Sequence, residues 1–327
     1  MTEDSADEEG LNYAEAGVDI DASEAATAAL VGAAQEGGDD AYAGLVDLGD
    51  RWLGVSTDGV GTKLLVAEAL GDYSTVGIDC VAMNVNDLVA AGIEPLAFVD
   101  YLAVEAPDEA VAEQIGQGLA AGTEAAGVAL VGGETAVLPE IVLGLDLAGT
   151  AVGIARKGVL FEGRAEPGDA LVGWASSGVH SNGLTLAREA VTRAHDYDDP
   201  FPDEPGRTVG EVLLEPTRLY TDLLQPMREH GVRGAAHVTG GGWTNLRRLG
   251  SNRYVVDDPW PPGAVFELIQ SAGEVSDAEM HRTFNQGTGF VAAAPPADAE
   301  ALAAATDGRV IGRVEDGDAV AIRGLEL

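Results

Sequence analysis

The chain has 327 residues, 46% of them apolar and 22% charged, ordinary globular usage that excludes wholesale disorder and allows about two domains. Its 18 Lys and Arg stand against 55 Asp and Glu, for a formal net charge of −37. So acidic a surface disfavours nucleic acid and anionic membranes as partners, because both are bound through basic footprints.

In chain order, residues 1–10 form an acidic tail that is predicted to be disordered. It is not the basic-then-apolar pattern of a signal peptide. Ser23 caps a predicted helix over 24–35, which Gly37-Gly38-Asp39-Asp40 breaks. Trp52 to Thr57 reads as a strand running into Asp58-Gly59-Val60-Gly61-Thr62-Lys63, with a helix from Lys63. A helix over 79–91 stops at Gly92 and Pro95, and Leu96 to Val104 is the next strand. Pro107-Asp108 opens a helix with Val111, Ile115 and Leu119 on one face, closed by Gly127. Val128 to Val131 reads as a short buried strand ending at Gly132-Gly133-Glu134-Thr135, and Ile141 to Ala155 as a long one.

Arg156-Lys157 and the polar stretch Glu162 to Asp169 mark a domain junction, giving domains at 11–156 and 157–327. A strand from Ala170 to Ala175 runs into Ser176-Ser177-Gly178-Val179-His180-Ser181-Asn182-Gly183, and a helix follows from Leu184. Residues 196–206 are a surface loop, and a helix is predicted around 217–230. Ala235 to Val238 is a strand leading to Thr239-Gly240-Gly241-Gly242. The end alternates: helices 263–272 and 276–282, strand 289–294, helix 297–305, strands 309–314 and 319–323. The fold class is mixed α/β in two related halves, without short tandem repeats.

Several chemistries lack their anchors. There is no Gly-x-x-x-x-Gly-Lys-Ser/Thr, no strand–Gly-x-Gly-x-x-Gly–helix, no His-Glu-x-x-His and no Gly-x-Ser-x-Gly. The one cysteine, Cys80, excludes an internal disulfide and reads as a small buried hydrophobe. No apolar run is long enough for a transmembrane helix, so a soluble cytoplasmic protein is expected.

What remains is a set of glycine-rich segments carrying polar groups. In Asp58–Lys63 the glycines let backbone N–H groups approach an anion, a helix start adds its positive end, and Asp58 suits a hard cation. Lys63 is one of only two lysines, with Lys157, which favours phosphate binding over a plain surface lysine. In Asn84-Val85-Asn86-Asp87, Asp87 lies two turns from Asp79, so both carboxylates share a helix face. Such a pair calls for a cation, unless Asp79 is an N-cap and Asp87 is solvated. Glu134, beside Gly132, Gly133 and Thr135, is a further metal or base candidate. His180 and His237 each sit beside hydroxyls and glycines ahead of a predicted helix, as anion cradles with a proton-transfer group. His195, His230 and His281 read as structural.

These segments occur in a familiar order, together with Tyr13-Ala14-Glu15-Ala16-Gly17-Val18-Asp19-Ile20-Asp21, Gly77-Ile78-Asp79 and Arg282-Thr283-Phe284-Asn285. From about residue 11 to the end, the chain resembles the phosphoribosylformylglycinamidine cyclo-ligases, also called aminoimidazole ribonucleotide synthetases. The resemblance implies ATP-dependent ring closure of formylglycinamidine ribonucleotide to aminoimidazole ribonucleotide, with release of ADP and phosphate. It implies two α/β domains and a homodimer whose N-terminal sheets pair into a barrel beside the ATP site. It further implies that Asp58, Asp87 and Glu134, joined by Asp79, hold Mg2+. Lys63 with Gly59, Gly61, Thr62, Asn84, Gly132, Gly133 and Thr135 would bind ATP. Ser177, His180, Ser181 and Asn182 would hold substrate, with Thr239, Gly240 and Gly241 on its phosphate and His237 beside them. Lys63, His180 and His237 are the candidate catalytic groups.

The pattern departs from the family at Gln35–Asp40 and Ala43–Leu45, where a basic stretch and a Gly-rich loop are usual, and at Val137–Glu140. Other members of the superfamily are the alternatives. A thiamine-phosphate kinase should lack the His180–Gly183 block, and a selenophosphate synthetase should carry a Cys before Cys80. A non-catalytic maturation-type scaffold would have no use for Lys63 and the carboxylates. Acid excess, scarce lysine and 5% aromatics also resemble halophile proteins, a generically acidic cytosolic protein being the alternative.

Overall fold

Two β-sheets organise the chain, each backed by helices. The structure, a computed structural model, describes residues 10–14, 16–18, 25–27, 29, 43–161 and 163–327. The predicted acidic tail, most of the helix over 24–35 and the Gly37–Asp40 break lie outside the described residues.

The first sheet contains β1 (Gly44–Asp47), β2 (Arg51–Gly59), β3 (Glu94–Val104), β4 (Ala129–Val137) and β5 (Leu145–Arg156), in the order β1-β2-β5-β3-β4. All neighbours are antiparallel except β3 and β4. Those two are parallel because helix α3 (Glu109–Ala126) carries the chain back between them. The Asp108 side chain starts α3 by accepting from the N–H groups of Ala110 and Val111, and Gly127 ends it at φ 70°.

Helices α1 (Lys63–Leu70) and α2 (Val76–Ala90) follow β2. Helix α2 is apolar nearly all round and buries Val76, Cys80, Val81, Val85 and Leu88. It crosses α3 at Gly77 and Gly118, where a Cβ on Gly77 would stand 2.3 Å from the Leu119 backbone nitrogen. One face of the sheet supplies Phe98, Leu102, Leu147 and Ala151 to this core. The other face leaves Val99 and Tyr101 exposed.

The second sheet contains β6 (Ala170–Ala175), β7 (Gly234–His237), β8 (Arg253–Val256), β9 (Thr288–Ala294), β10 (Arg309–Glu315), β11 (Ala319–Ile322) and β12 (Leu325–Glu326). Its order is β12-β11-β8-β10-β6-β9-β7, with only β8 and β11 parallel. Around it lie α4 (Leu184–Val191), α5 (Val209–Leu213), α6 (Leu224–Glu229), α7 (Ala264–Gly273), α8 (Asp277–Thr283), α9 (Pro296–Ala305) and a 3-10 helix over Gly242–Leu249. Every residue of β9 is buried, as its uninterrupted apolar run requires.

Four elements differ from the sequence reading. The predicted strand from Ile141 begins only at Leu145, because Leu138–Gly144 form turns that end with Gly144 at φ 70°. Gly132–Thr135 is no terminal turn: it lies inside β4, which is exposed along almost its whole length. Helix α2 starts three residues early, so Thr75 is its N-cap and Asp79 falls within the first turn. The helix expected over 217–230 shrinks to a 3-10 turn (Thr221–Leu223) and α6, and the residues before them form no regular element.

Candidate active site

The site grows from the line where the two halves meet. At the end of β2, the Asp58 carboxylate accepts a 2.7 Å hydrogen bond from the Gly59 N–H. Burial, and then the charge of Asp87, push its carboxyl up to about 6. Asn84 of α2 donates to the Asp58 carbonyl at 3.2 Å and to the Cys80 carbonyl at 2.8 Å, while its own Oδ1 is buried without a partner. Three residues on, Asp87 Oδ1 lies 3.0 Å from Nδ1 of His237, the last residue of β7. Asp58, Asn84, Asp87 and His237 are thus brought together from both sheets.

The second half closes over them. Ser181 donates to the Val60 carbonyl at 2.9 Å, and Thr62 and Thr185 hydroxyls share a 2.9 Å bond. Asn182 donates to the Met83 sulfur at 3.6 Å and stands against Gly240, whose missing side chain leaves room for it. Gly241 and Gly242 turn the chain with φ 91° and 52°. The turn is tied by Thr244 Oγ1 to the Gly241 carbonyl and by Asn245 to the carbonyls of Gly240 and Gly242. The Thr239–Gly242 turn is therefore fixed in shape, with the Gly242 N–H also bound to the Thr239 carbonyl at 2.9 Å.

His180 is buried in a left-handed conformation, φ 66°, rare for a residue other than glycine. Its Nε2 accepts the Ser177 N–H at 3.2 Å, so the ring proton sits on Nδ1, and Nδ1 is buried without a partner. Desolvation above all, with the neighbouring cations, holds its pKa well below the ordinary imidazole range. A neutral ring with a spare donor is an arrangement built to hydrogen-bond something else.

Lys63 corrects the sequence reading. It does not stand at the mouth of the glycine turn: its ammonium is wholly enclosed, 2.9 and 2.8 Å from the two oxygens of an equally enclosed Asp79. Lys63 also donates to the Glu215 carbonyl at 2.6 Å. Asp79 Oδ1 in turn accepts from the Thr217 N–H at 2.8 Å and hydroxyl at 2.6 Å. Asp79 is therefore a partner for Lys63 and the 214–220 segment, not a cation ligand beside Asp87. Desolvation pulls the Lys63 pKa down, and Asp79 opposes this.

The remaining acidic candidate, Glu134, is also separate. Asp58, Gly149, Asp100 and Gly133 form one cross-strand row, so Gly133 is three strand spacings, ~14 Å, from Asp58. Glu134 is one residue further, paired with Tyr101 on the opposite, exposed face, while Gly132 and Thr135 share its strand. Among the described residues no group of three His, Cys, Asp or Glu could hold a metal ion.

The sequence reading missed the segment from Leu214 to Tyr220, which lies along α2. Thr75, Lys63, Asp79 and Asn86 bind its backbone in turn, and Ser177 donates to the Pro216 carbonyl at 2.6 Å. Pro216 was the available signal, since the residue before a proline is biased away from helix.

Comparison with known proteins covers both halves of the chain. Residues 38–155 match the AIR synthase related protein N-terminal domain and residues 166–324 the corresponding C-terminal domain. A relative from Methanosarcina acetivorans, named phosphoribosylformylglycinamidine cyclo-ligase, is 45% identical over 94% of this chain and 96% of its own. One of the same name from Thermococcus gammatolerans is 47% identical over 89% and 90%. Among solved structures, a thiamine monophosphate kinase from Aquifex aeolicus shares the fold at TM-score 0.66 and 16% identity, over 95% of this chain and 99% of that one. So does T. maritima PurL complexed with FGAR, at 0.60 and 20%, over 87% of this chain and 46% of that one. On the strength of two matched domains and relatives aligned nearly end to end, the chain belongs to the phosphoribosylformylglycinamidine cyclo-ligase family.

Proposed function

We propose that this chain closes the imidazole ring in purine biosynthesis, converting formylglycinamidine ribonucleotide and ATP to aminoimidazole ribonucleotide, ADP and phosphate. The observation that carries this reading is 45% identity over 94% of the chain to a relative of that name. The thiamine-phosphate kinase alternative has a shared fold at 16% and 21% identity behind it. In the proposed reaction the formamide oxygen takes the γ-phosphoryl group of ATP, which makes it a good leaving group. The amidine nitrogen then attacks that carbon, and phosphate departs.

Each part of the site has a role to supply. Asp58 and Asp87 suit a magnesium ion, because desolvation and then the Asp87 charge push the carboxyl of the half-buried Asp58 up, and a divalent cation relieves that repulsion. Mg2+ there would neutralise ATP phosphate charge. Glu134 and the Gly132–Thr135 backbone would meet nucleotide only from the exposed sheet face. His180 offers its unpaired Nδ1–H to substrate, beside Ser177, Ser181 and Asn182. The Thr239–Gly241 backbone receives the substrate phosphate. Lys63 acts from behind, by fixing the Glu215–Thr217 backbone.

The exposed apolar face of the first sheet, with Val99, Tyr101 and Val131, is the homodimer surface in this reading. The acidic surface fits a cytoplasm rich in salt. The deciding assay follows ADP release from MgATP in molar potassium chloride with and without formylglycinamidine ribonucleotide. Release that does not depend on the amidine would overturn the proposal, and sedimentation as a monomer would remove the dimer.

A further inference from the structure

We propose that Asn86 is a positioning residue: it fixes the tautomer of His237 so that the ring donates its Nδ1 proton to Asp87. The starting point is the 214–220 segment. The Tyr220 N–H donates to Asn86 Oδ1 at 2.9 Å, and a backbone N–H can only donate. That fixes which end of the amide is oxygen. The NH2 end must then face the other way, where it donates to the Arg218 carbonyl at 2.8 Å and meets His237 Nε2 at 3.4 Å. An NH2 group has no lone pair to offer, so Nε2 of His237 has to be the acceptor. The ring proton is left on Nδ1, and Nδ1 points at Asp87 Oδ1, 3.0 Å away.

The ring has little freedom to escape this. His237 is buried, and the rings of Tyr220, Phe290 and His180 pack around it at centroid distances of 6.2, 6.2 and 6.4 Å. The chain of contacts therefore runs from the backbone of one half, through Asn86 and His237, to a carboxylate on the helix of the other half. Asp87 is only partly exposed, and the N–H it accepts sets the direction of its second oxygen.

The tautomer stands on geometry alone, whereas its kinetic consequence rests on the ring-closure reading. The test is 15N NMR of histidine-labelled protein, with the His237 signals identified by their loss in His237→Gln. In the wild type, Nδ1 of His237 should show a bound proton and Nε2 a lone pair. Asn86→Asp puts an acceptor where the NH2 stood, and Nε2 should become protonated. Turnover should fall about tenfold or more, with KM for the amidine changed far less. Protonated Nε2 in the wild type would overturn the proposal without any variant having to fold. So would an unaltered Nε2 signal in a folded Asn86→Asp protein. If the NMR result holds but no amidine-dependent turnover is found in the wild type, it is the functional reading that fails.

Discussion

Lys63 and Asp79 are both wholly enclosed, so each charge is tolerated only because the other stands beside it. Lys63→Met leaves Asp79 as a buried charge without its counterion, and should cost about 3–5 kcal/mol of stability, read from urea denaturation. Adding Asp79→Asn should restore part of that. A single variant as stable as the wild type would show that the pair has no structural role. His180 gives a pH dependence of definite sign. Its folded pKa is depressed, so below the unfolded value of ~6.5 the unfolded chain binds a proton that the folded chain does not. Stability from this group is therefore fully present above pH 6.5 and lost with acid, at up to about 1.4 kcal/mol per pH unit. His180→Asn, a residue that tolerates φ 66°, should show a shallower acid loss. Parallel profiles for variant and wild type would remove His180 as the source.

Helix α2 shows how one element serves core, site and domain contact at once. Its apolar residues form the core, while Asp79, Asn84, Asn86 and Asp87 reach the other half or the site. Its approach to α3 depends on Gly77, where even one methyl group would strike backbone. Gly77→Ala should cost about 1–3 kcal/mol in chemical denaturation, although alanine is the better helix former. A neutral or stabilising effect would show that the helices can separate freely. The existence of α2, α3, β3 and β9 was legible because periodicity and caps such as Asp108 and Gly127 mark them locally. Asp58 beside Asp87 was anticipated only through the family resemblance, because helix spacing alone paired Asp87 with Asp79, which instead binds Lys63 and Thr217. The fate of Lys63 was not legible, because its partner lies 16 residues on and its enclosure depends on Glu215–Thr217 arriving from the other half. Glu134 misled for a similar reason: a glycine pair reads as a turn, yet here it lies within an edge strand. Side-chain direction in a strand follows from register, and register is a property of the assembled sheet.

At the scale of the whole molecule, the charge of −37 is a self-repulsion that solvent must moderate. The Debye length falls from ~10 Å at 0.1 M salt to ~3 Å at 1 M. The thermal midpoint should therefore rise between 0.1 and 1 M potassium chloride. A midpoint that is flat or falls over that range would show that local ion pairs, such as Arg253–Glu326 and Arg207–Glu215, already balance the surface.

The enclosure of Lys63 also makes the protein a reporter of its own unfolding. Of two lysines, Lys157 stands at the surface beside Asp47, and Lys63 is sealed at the junction of the halves. An amine-directed reagent should therefore modify one lysine side chain in the native protein and two once the halves part. Peptide mass spectrometry after a brief pulse of acetic anhydride would read the opening of that seam directly, with Lys157 as the internal standard. Equal labelling of both lysines under native conditions would mean that the seam opens faster than the reagent reacts.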